Sequence, residues 1–484
     1  MVDGRLRNAH PNLVYVFADQ LRYQSLGYAG DTRAITPNID RFASESVNFH
    51  NAVASAPVCT AYRAALFTGK YTTSNGMVIN ELRINPNQRC FGHVLTEGGY
   101  HTGYIGKWHL YANELGSHDD PINSFVPRGP NRLGFDGEWM AYNFHHSYYD
   151  TYYHTETPER IYYRKDVFEP DAQTDLAIDF VERAASKPEP FALFLSIGTP
   201  HDPWGPDNVP AQYLAMHEDT RFPNPVNYLD ENDTPYADAW ALLSKEDRAD
   251  LENWRRTYYA QTTNLDWNFG RFMTALADIG CADNTVVVFT SDHGEMFGAH
   301  GRRAKNIFYE EACRIPMLIR PPDCSLSGGK SDVCLSTVDV MPTLLSLLNL
   351  NSPADIEGFD LSHVLRGAHG REPDAALMQI CGATADWIDG HEWRALRDKK
   401  YTYAIYRVDG KESLFDHISD PSQMHNLIDD PDQAGVLVKF REALALKMAS
   451  INDTFEACTW YRDHWTDGHR NIVRSATAVF EQAQ

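Results

Sequence analysis

No run of about 18 apolar residues occurs anywhere in this 484-residue chain, and the opening MVDGRLRNAHP lacks the apolar centre of a signal sequence. A spanning helix is therefore not expected. The sequence as it stands reads as a soluble, cytoplasmic protein, with a periplasmic or secreted location expected instead if a signal has been removed. Cysteine is sparse and shows no CxxC spacing: Cys59, Cys90, Cys281, Cys313, Cys324, Cys334, Cys381 and Cys458 suit a reduced compartment better than a disulfide scaffold. Positive charge is also short, with 43 Lys and Arg against 66 Asp and Glu and a net charge of -23. That balance disfavours a nucleic acid or an anionic membrane as partner. An anionic substrate would need a local cationic pocket. Internal repeats, low-complexity tracts and long linkers are missing too.

What is present is a series of short apolar runs that end in charge. Asn12 to Ala18 (NLVYVFA) and Asn284 to Ser291 (NTVVVFTS) read as buried strands of a parallel sheet. The first ends in Asp19 and Gln20, the second in Asp292 and His293. Ligands of open α/β sheets bind just past the carboxyl ends of such strands. A third run, YHTGYIGKWHL, carries Lys107 and His109 two residues apart, a spacing that on a strand puts both on one face. PFALFLSIGTPHDPW reads as a strand ending at His201. Between them, PVCTAYRAALFTGKY places Cys59 and Arg63 at the start of an Ala/Leu-rich helix.

Strand and helix signals alternate to about residue 370, which predicts an α/β fold with a large, mostly parallel sheet flanked by helices. Short runs at Ala376 to Ile380, Glu392 to Arg397, Lys400 to Tyr406 and Ser413 to Asp416, then a helix near Ala434 to Ile451, predict a smaller antiparallel subdomain. The expected division is a catalytic domain over 1–370 and a C-terminal subdomain over 371–484. Arg314 to Pro321 reads as a further strand and Ser336 to Leu350 as a strand-to-helix unit. One long amphipathic helix, or two, is expected from Lys245 to Ile279. The aromatic segment 139–164 is a candidate substrate wall. The tail from Thr459 to Gln484 fits a partner-subunit arm or a surface strap equally, and a homo-oligomer is compatible with either.

Two carboxylates, an amide oxygen and an imidazole form a set suited to one divalent cation. Oxygen dominance favours calcium or magnesium, while the imidazole keeps manganese, iron or zinc open. Arg63, Lys107, His109, His201 and Lys305 would supply a cationic cluster in an acidic protein, which is what a sulfate or phosphate ester requires.

These blocks, taken in order with NTVVVFTSDHGEMFGAHG, RIPMLIRPP and LFDHISDPSQMHNL, resemble the formylglycine-dependent sulfatases of the alkaline phosphatase superfamily across nearly the whole chain. The resemblance implies that Cys59, in a Cys-x-Ala-x-Arg setting, is oxidised to formylglycine by a maturation enzyme. It implies that Asp19, Gln20, Asp292, His293 and residue 59 ligate one metal, Ca2+ first with Mn2+ or Mg2+ as alternatives. Arg63 would support the aldehyde, while Lys107, His109, His201 and Lys305 would bind sulfate and assist protonation of the leaving group. The implied substrate is a sulfated carbohydrate or small alcohol. Ala61 stands where proline is commoner, and Tyr62 where serine is. Gln20 with His293 also resembles the phosphonate monoester and phosphodiester hydrolases, the alternative activity. An inactive glycan- or anion-binding relative is a third reading.

Overall fold

The structure, a computed structural model, describes residues 10–112, 121–322, 328–466 and 472. Cys324 and most of the tail beyond Thr466 lie outside the described residues. Its strands, in chain order, are β1 (Asn12–Ala18), β2 (Val47–Phe49), β3 (His101–Lys107), β4 (Glu138–Tyr142), β5 (Tyr152–Tyr153), β6 (Ile161–Tyr162), β7 (Phe191–Ile197), β8 (Thr285–Ser291), β9 (Met317–Arg320), β10 (Lys330–Ser331), β11 (Ala376–Ile380), β12 (Trp393–Arg397), β13 (Tyr401–Tyr406) and β14 (Glu412–Asp416). Eight of them form one sheet in the order β10-β2-β9-β8-β1-β7-β3-β4. Every pairing in it is parallel except the two made by β9. β11 to β14 form a separate antiparallel sheet. The predicted fold class is therefore the observed one.

β1 lies inside the large sheet and all seven of its residues are buried. Leu13, Tyr15 and Phe17 enter the core on one face, with Tyr62, Leu66 and Phe67 of the helix Cys59–Thr68 and Met341 and Leu344 of the helix Thr337–Leu347. Val14, Val16 and Ala18 enter the core on the other, with Phe180 of the helix Glu169–Ala184 and Leu265, Phe269 and Phe272 of the helix Lys245–Asp278. Two covered faces explain why the strand reads as a continuous apolar run and not as an alternation. Each large side chain so buried contributes about 1.5–3 kcal/mol. The helix from Lys245 is a single element, started by Ser244 and Asp247, whose side chains each accept from the other's backbone N–H at 3.0 and 2.8 Å.

Three local expectations change. Ser336 to Leu350 holds one helix and no strand: the Ser336 N–H donates to Asp339 Oδ2 at 2.7 Å, starting the helix there, and packing against Cys59–Thr68 overrides the strand preference of Thr337, Val338 and Val340. Arg314 to Pro321 contributes β9, but antiparallel. The third change concerns Lys107 and His109. β3 stops at Lys107, and His109 has φ 54°, so strand periodicity does not extend to it.

The second sheet is joined to the first part by buried polar contacts. The Gln379 N–H of β11 donates to Ser55 O at 2.9 Å, and Arg397 of β12 makes a two-pronged pair with Glu310 at 2.6 and 3.0 Å.

Candidate active site

Parallel pairing of β1 with both β7 and β8 brings their carboxyl ends together, so Asp19 and Asp292 emerge side by side. Both are fully buried. Into the gap points Cys59, the first residue of the helix Cys59–Thr68. Its Sγ lies 3.2 Å from His293 Nε2, 3.7 Å from Asp19 Oδ1 and 3.4 Å from Lys305 Nζ. Four groups, Asp19, Cys59, Asp292 and His293, each present a ligand atom within 4.8 Å of the others. Such a buried set of two carboxylates, one thiol and one imidazole fits a divalent cation, because two carboxylates nearly cancel its charge. His293 Nδ1 lies 2.9 Å from its neighbour's carbonyl, Gly294 O, which turns Nε2 toward the cluster. Burial pushes the His293 imidazole down to about 4, further lowered by Lys305 against the pull of Asp292. It is thus neutral and able to ligate.

The carboxylates are held from behind by two buried cations. One helical turn after Cys59, Arg63 donates from Nη2 to Asp19 Oδ2 at 3.2 Å and Asp292 Oδ2 at 3.4 Å, and from Nη1 to Lys107 O at 2.7 Å and Ser196 Oγ at 2.8 Å. Lys107 Nζ donates to Asp19 Oδ2 at 2.7 Å. Burial alone would raise the Asp19 pKa, but Lys107, His201, Arg63 and His293 together hold it well below the usual carboxylate range. Arg63 and Lys107 therefore face the carboxylates rather than the cavity. His109 likewise turns aside, with Nε2 3.1 Å from Glu81 Oε1.

On the open side, Lys305 Nζ donates to Gln20 Oε1 at 3.1 Å and lies 2.9 Å from His201 Nε2. The amide nitrogen of Gln20 donates to Glu295 Oε2 at 2.5 Å. His201 Nδ1 pairs with Asp202 Oδ1 at 2.7 Å. Burial and the Lys305 ammonium depress the His201 pKa, yet Asp202 and Asp19 prevail and hold it above the ordinary imidazole value. The His146 ring stacks on His201, centroids 3.9 Å apart. These groups line a cleft of about 210 Å³ that also touches Cys59, Asn80, Glu81, Phe144, Trp240, Arg303 and Thr384.

Of the ten residues singled out from the sequence, nine lie in one connected network, and His109 joins the cleft through Glu81. Several lining residues had no prior assignment, among them Asn80, Glu81, Asp202, Glu295, Trp240, Arg303 and Thr384. Glu295 was within reach, since it follows Asp292 and His293 in the same loop. His146 belongs to the aromatic segment expected to form a wall, and its stacking on His201 makes it part of one. Burial pushes Glu81 up to about 7, against the opposing charge of Lys107. Nothing in its local sequence, NELRINP, signals a cleft residue.

The sulfatase family model matches residues 11–350, and a second family model, described as N-sulphoglucosamine sulphohydrolase, C-terminal, matches 298–450. An ulvan-active sulfatase from Formosa agariphila is 34% identical over 455 residues, 93% of this chain and 83% of that protein. An N-acetylglucosamine-6-O-sulfatase from Bacteroides thetaiotaomicron is 28% identical, covering 87% of this chain and 81% of its own length. Among solved structures, the provisionally assigned sulfatase yidJ from Bacteroides fragilis superposes with a TM-score of 0.80 at 30% identity, covering 94% of this chain and 99% of that one.

Proposed function

Because this chain belongs to the sulfatase family of the alkaline phosphatase superfamily, and so is a sulfuric ester hydrolase, we propose that it cleaves a sulfate ester of a carbohydrate with residue 59 in its formylglycine form. The observation that carries the reading is the position of Cys59 at a helix start, with His293, Asp19 and Lys305 around its Sγ. The sugar substrate is suggested by the relatives described as an N-acetylglucosamine-6-O-sulfatase and as ulvan-active.

Matured to formylglycine, residue 59 would supply a geminal diol: one oxygen, its proton lost beforehand to bulk water, would bond to sulfur as the S–O bond to the sugar breaks, and loss of the second hydroxyl's proton would break the C–O bond to sulfate and restore the aldehyde. A divalent cation held by Asp19, Gln20, residue 59, Asp292 and His293, with calcium first and manganese or magnesium next, would supply Lewis-acid stabilisation of negative oxygen. The chain's own groups divide the remaining work. First-turn amides of the helix Cys59–Thr68 and the Lys305 ammonium favour negative charge at the sulfate oxygens. Lys305 and His201, 2.9 Å apart, deliver the proton to the departing alcohol oxygen as the S–O bond breaks. Asp202 on Nδ1 leaves His201 Nε2 as the exchanging atom. The proton of the second hydroxyl passes to Glu81, which lines the cleft, with His109 hydrogen-bonded behind it at 3.1 Å. Arg63 fixes both carboxylates from behind, and with Lys107 it keeps Asp19 ionised.

The test is mass analysis of the peptide carrying residue 59 from the native host, combined with rates on 4-nitrophenyl sulfate and on an aryl phosphonate monoester. An aldehyde in place of the thiol, a preference for the sulfate, and loss of turnover in Cys59→Ala are the expected results. Faster phosphonate hydrolysis would move the assignment to the phosphonate hydrolases. A retained thiol with no turnover of either ester would leave an anion- or glycan-binding protein.

A further inference from the structure

The outer part of the cleft is built differently from its floor. Trp240 is 54% exposed, one of the largest apolar side chains left in solvent, yet it lines the same cleft as Cys59 and Lys305. Its backbone is anchored at both ends. Asp238 Oδ1 accepts from the Ala241 N–H at 3.1 Å, while Oδ2 accepts from Thr384 Oγ1 at 2.7 Å and Asn306 Nδ2 at 3.0 Å. Asp238 is buried, so this pedestal is shielded from water. On the other side, the Arg303 N–H donates to Ala241 O at 2.9 Å. The backbone that carries the exposed indole is thus fixed against the very loop that delivers Lys305.

Arg303 lies two residues before Lys305, so their Cα atoms are at most about 7 Å apart. Its guanidinium stacks on the Trp254 ring, Cζ 5.0 Å from the centroid, which leaves its edge N–H groups pointing away from the ring, and its ion pair to Asp247 is loose, at 3.6 Å. Arg303 Nε, buried, has no hydrogen-bond partner. A guanidinium that lines the cleft and holds only a loose ion pair, in a chain of net charge -23, is suited to a second anionic group on a ligand whose first occupies the floor. An exposed indole on an anchored backbone is suited to the apolar face of a sugar ring between them.

We propose that Trp240 and Arg303 form an outer subsite that selects a doubly anionic sugar: a ring stacked on Trp240, one sulfate ester at residue 59 and a second sulfate or a carboxylate on Arg303. This rests on the sulfatase reading and specifies its substrate class.

The test measures inhibition of 4-nitrophenyl sulfate turnover by a panel of mono- and disulfated hexosamines, with inorganic sulfate as a probe of the floor alone. In the wild type, the best disulfated sugar should inhibit at about ten-fold lower concentration than its monosulfated counterpart. Trp240→Ala should weaken both sugars by about ten-fold and leave inorganic sulfate within about two-fold. Arg303→Met, which keeps a long unbranched side chain beside Trp254 without the charge, should reduce the disulfate preference to within about two-fold. Trp240→Phe should recover part of the loss. A wild type that ignores the second anion, or either substitution leaving the sugar constants within about two-fold, would overturn the subsite. A wild type that does not turn over the aryl sulfate would instead count against the sulfatase reading.

Discussion

Replacing Arg63 with methionine tests the electrostatic logic of the site most directly. The guanidinium is fully buried between two fully buried carboxylates, at 3.2 Å from Asp19 and 3.4 Å from Asp292. At an effective dielectric of about 20, each pair carries roughly 5 kcal/mol of Coulomb attraction. Desolvation of the ions offsets much of this, and removing one partner of a buried pair typically costs about 3–5 kcal/mol. Lys107 O and Ser196 Oγ also lose a donor, so the upper end of that range is expected. The assay is urea unfolding followed by tryptophan fluorescence, in EDTA and in excess Ca2+. Arg63→Met should be less stable than wild type by about 3–5 kcal/mol in EDTA. Added Ca2+ should narrow the gap, because a cation beside Asp19 and Asp292 compensates the charge left behind and binds the variant at least as well as the wild type. A variant within about 1 kcal/mol of wild type in EDTA would refute the electrostatic account. An equal Ca2+ shift in both proteins would refute the charge compensation, and no Ca2+ shift in either would refute a cation site at these carboxylates.

Three further outcomes are expected. Asp292→Ala should abolish cation binding by calorimetry and lower turnover by at least about 1,000-fold, since one carboxylate leaves a cation under-coordinated; full turnover with bound metal would reject the ligand assignment. Glu310, fully buried on Arg397, has its pKa lowered to about 2: burial opposes this, but the charges of Arg397 and Arg314 outweigh it. A depressed carboxylate pKa contributes stability that is present above the unfolded value of 4.5 and is lost as pH falls toward 2. Acid unfolding should accordingly steepen between these limits, and Glu310→Gln should flatten that segment of the stability profile while destabilising the protein at neutral pH. Gly106, at φ 97°, has no room for a side chain, because a Cβ would lie 2.0 Å from Ser196 O. Gly106→Ala should displace the end of β3 and with it Lys107, giving lower yield and lower activity than wild type; wild-type stability would contradict the observed strand geometry.

Much of the fold was legible because it rests on local pattern. β1 and β8 are apolar, β-branched and aromatic runs covered on both faces, and nothing else suits such runs in a chain that alternates them with amphipathic helices. β11 to β14 fell within a residue or so of their expected bounds, since turn residues punctuate each one. The helix at Thr337–Leu347 was half missed for the opposite reason. Its β-branched start favours a strand locally, and only burial against the helix at Cys59 settles the matter. His109 was placed on a strand face because a two-residue spacing carries no sign of where β3 stops.

By itself the sequence determined the order of the strands, the acids and imidazole that follow them, and the thiol at a helix start, because each of these is written within about ten contiguous residues. Only the tertiary structure decided which side of the carboxylates each cation occupies. Arg63 and Lys107 lie behind them, within the sheet and its buried helix, while Lys305 and His201 lie in front, on loops that cross the cleft. It also decided that Glu81, Trp240, Arg303 and Thr384, spread over some 300 positions, share one cleft. The physical reason is that a loop residue's neighbours are set by the closure of the whole chain around the sheet, and no local periodicity records that closure.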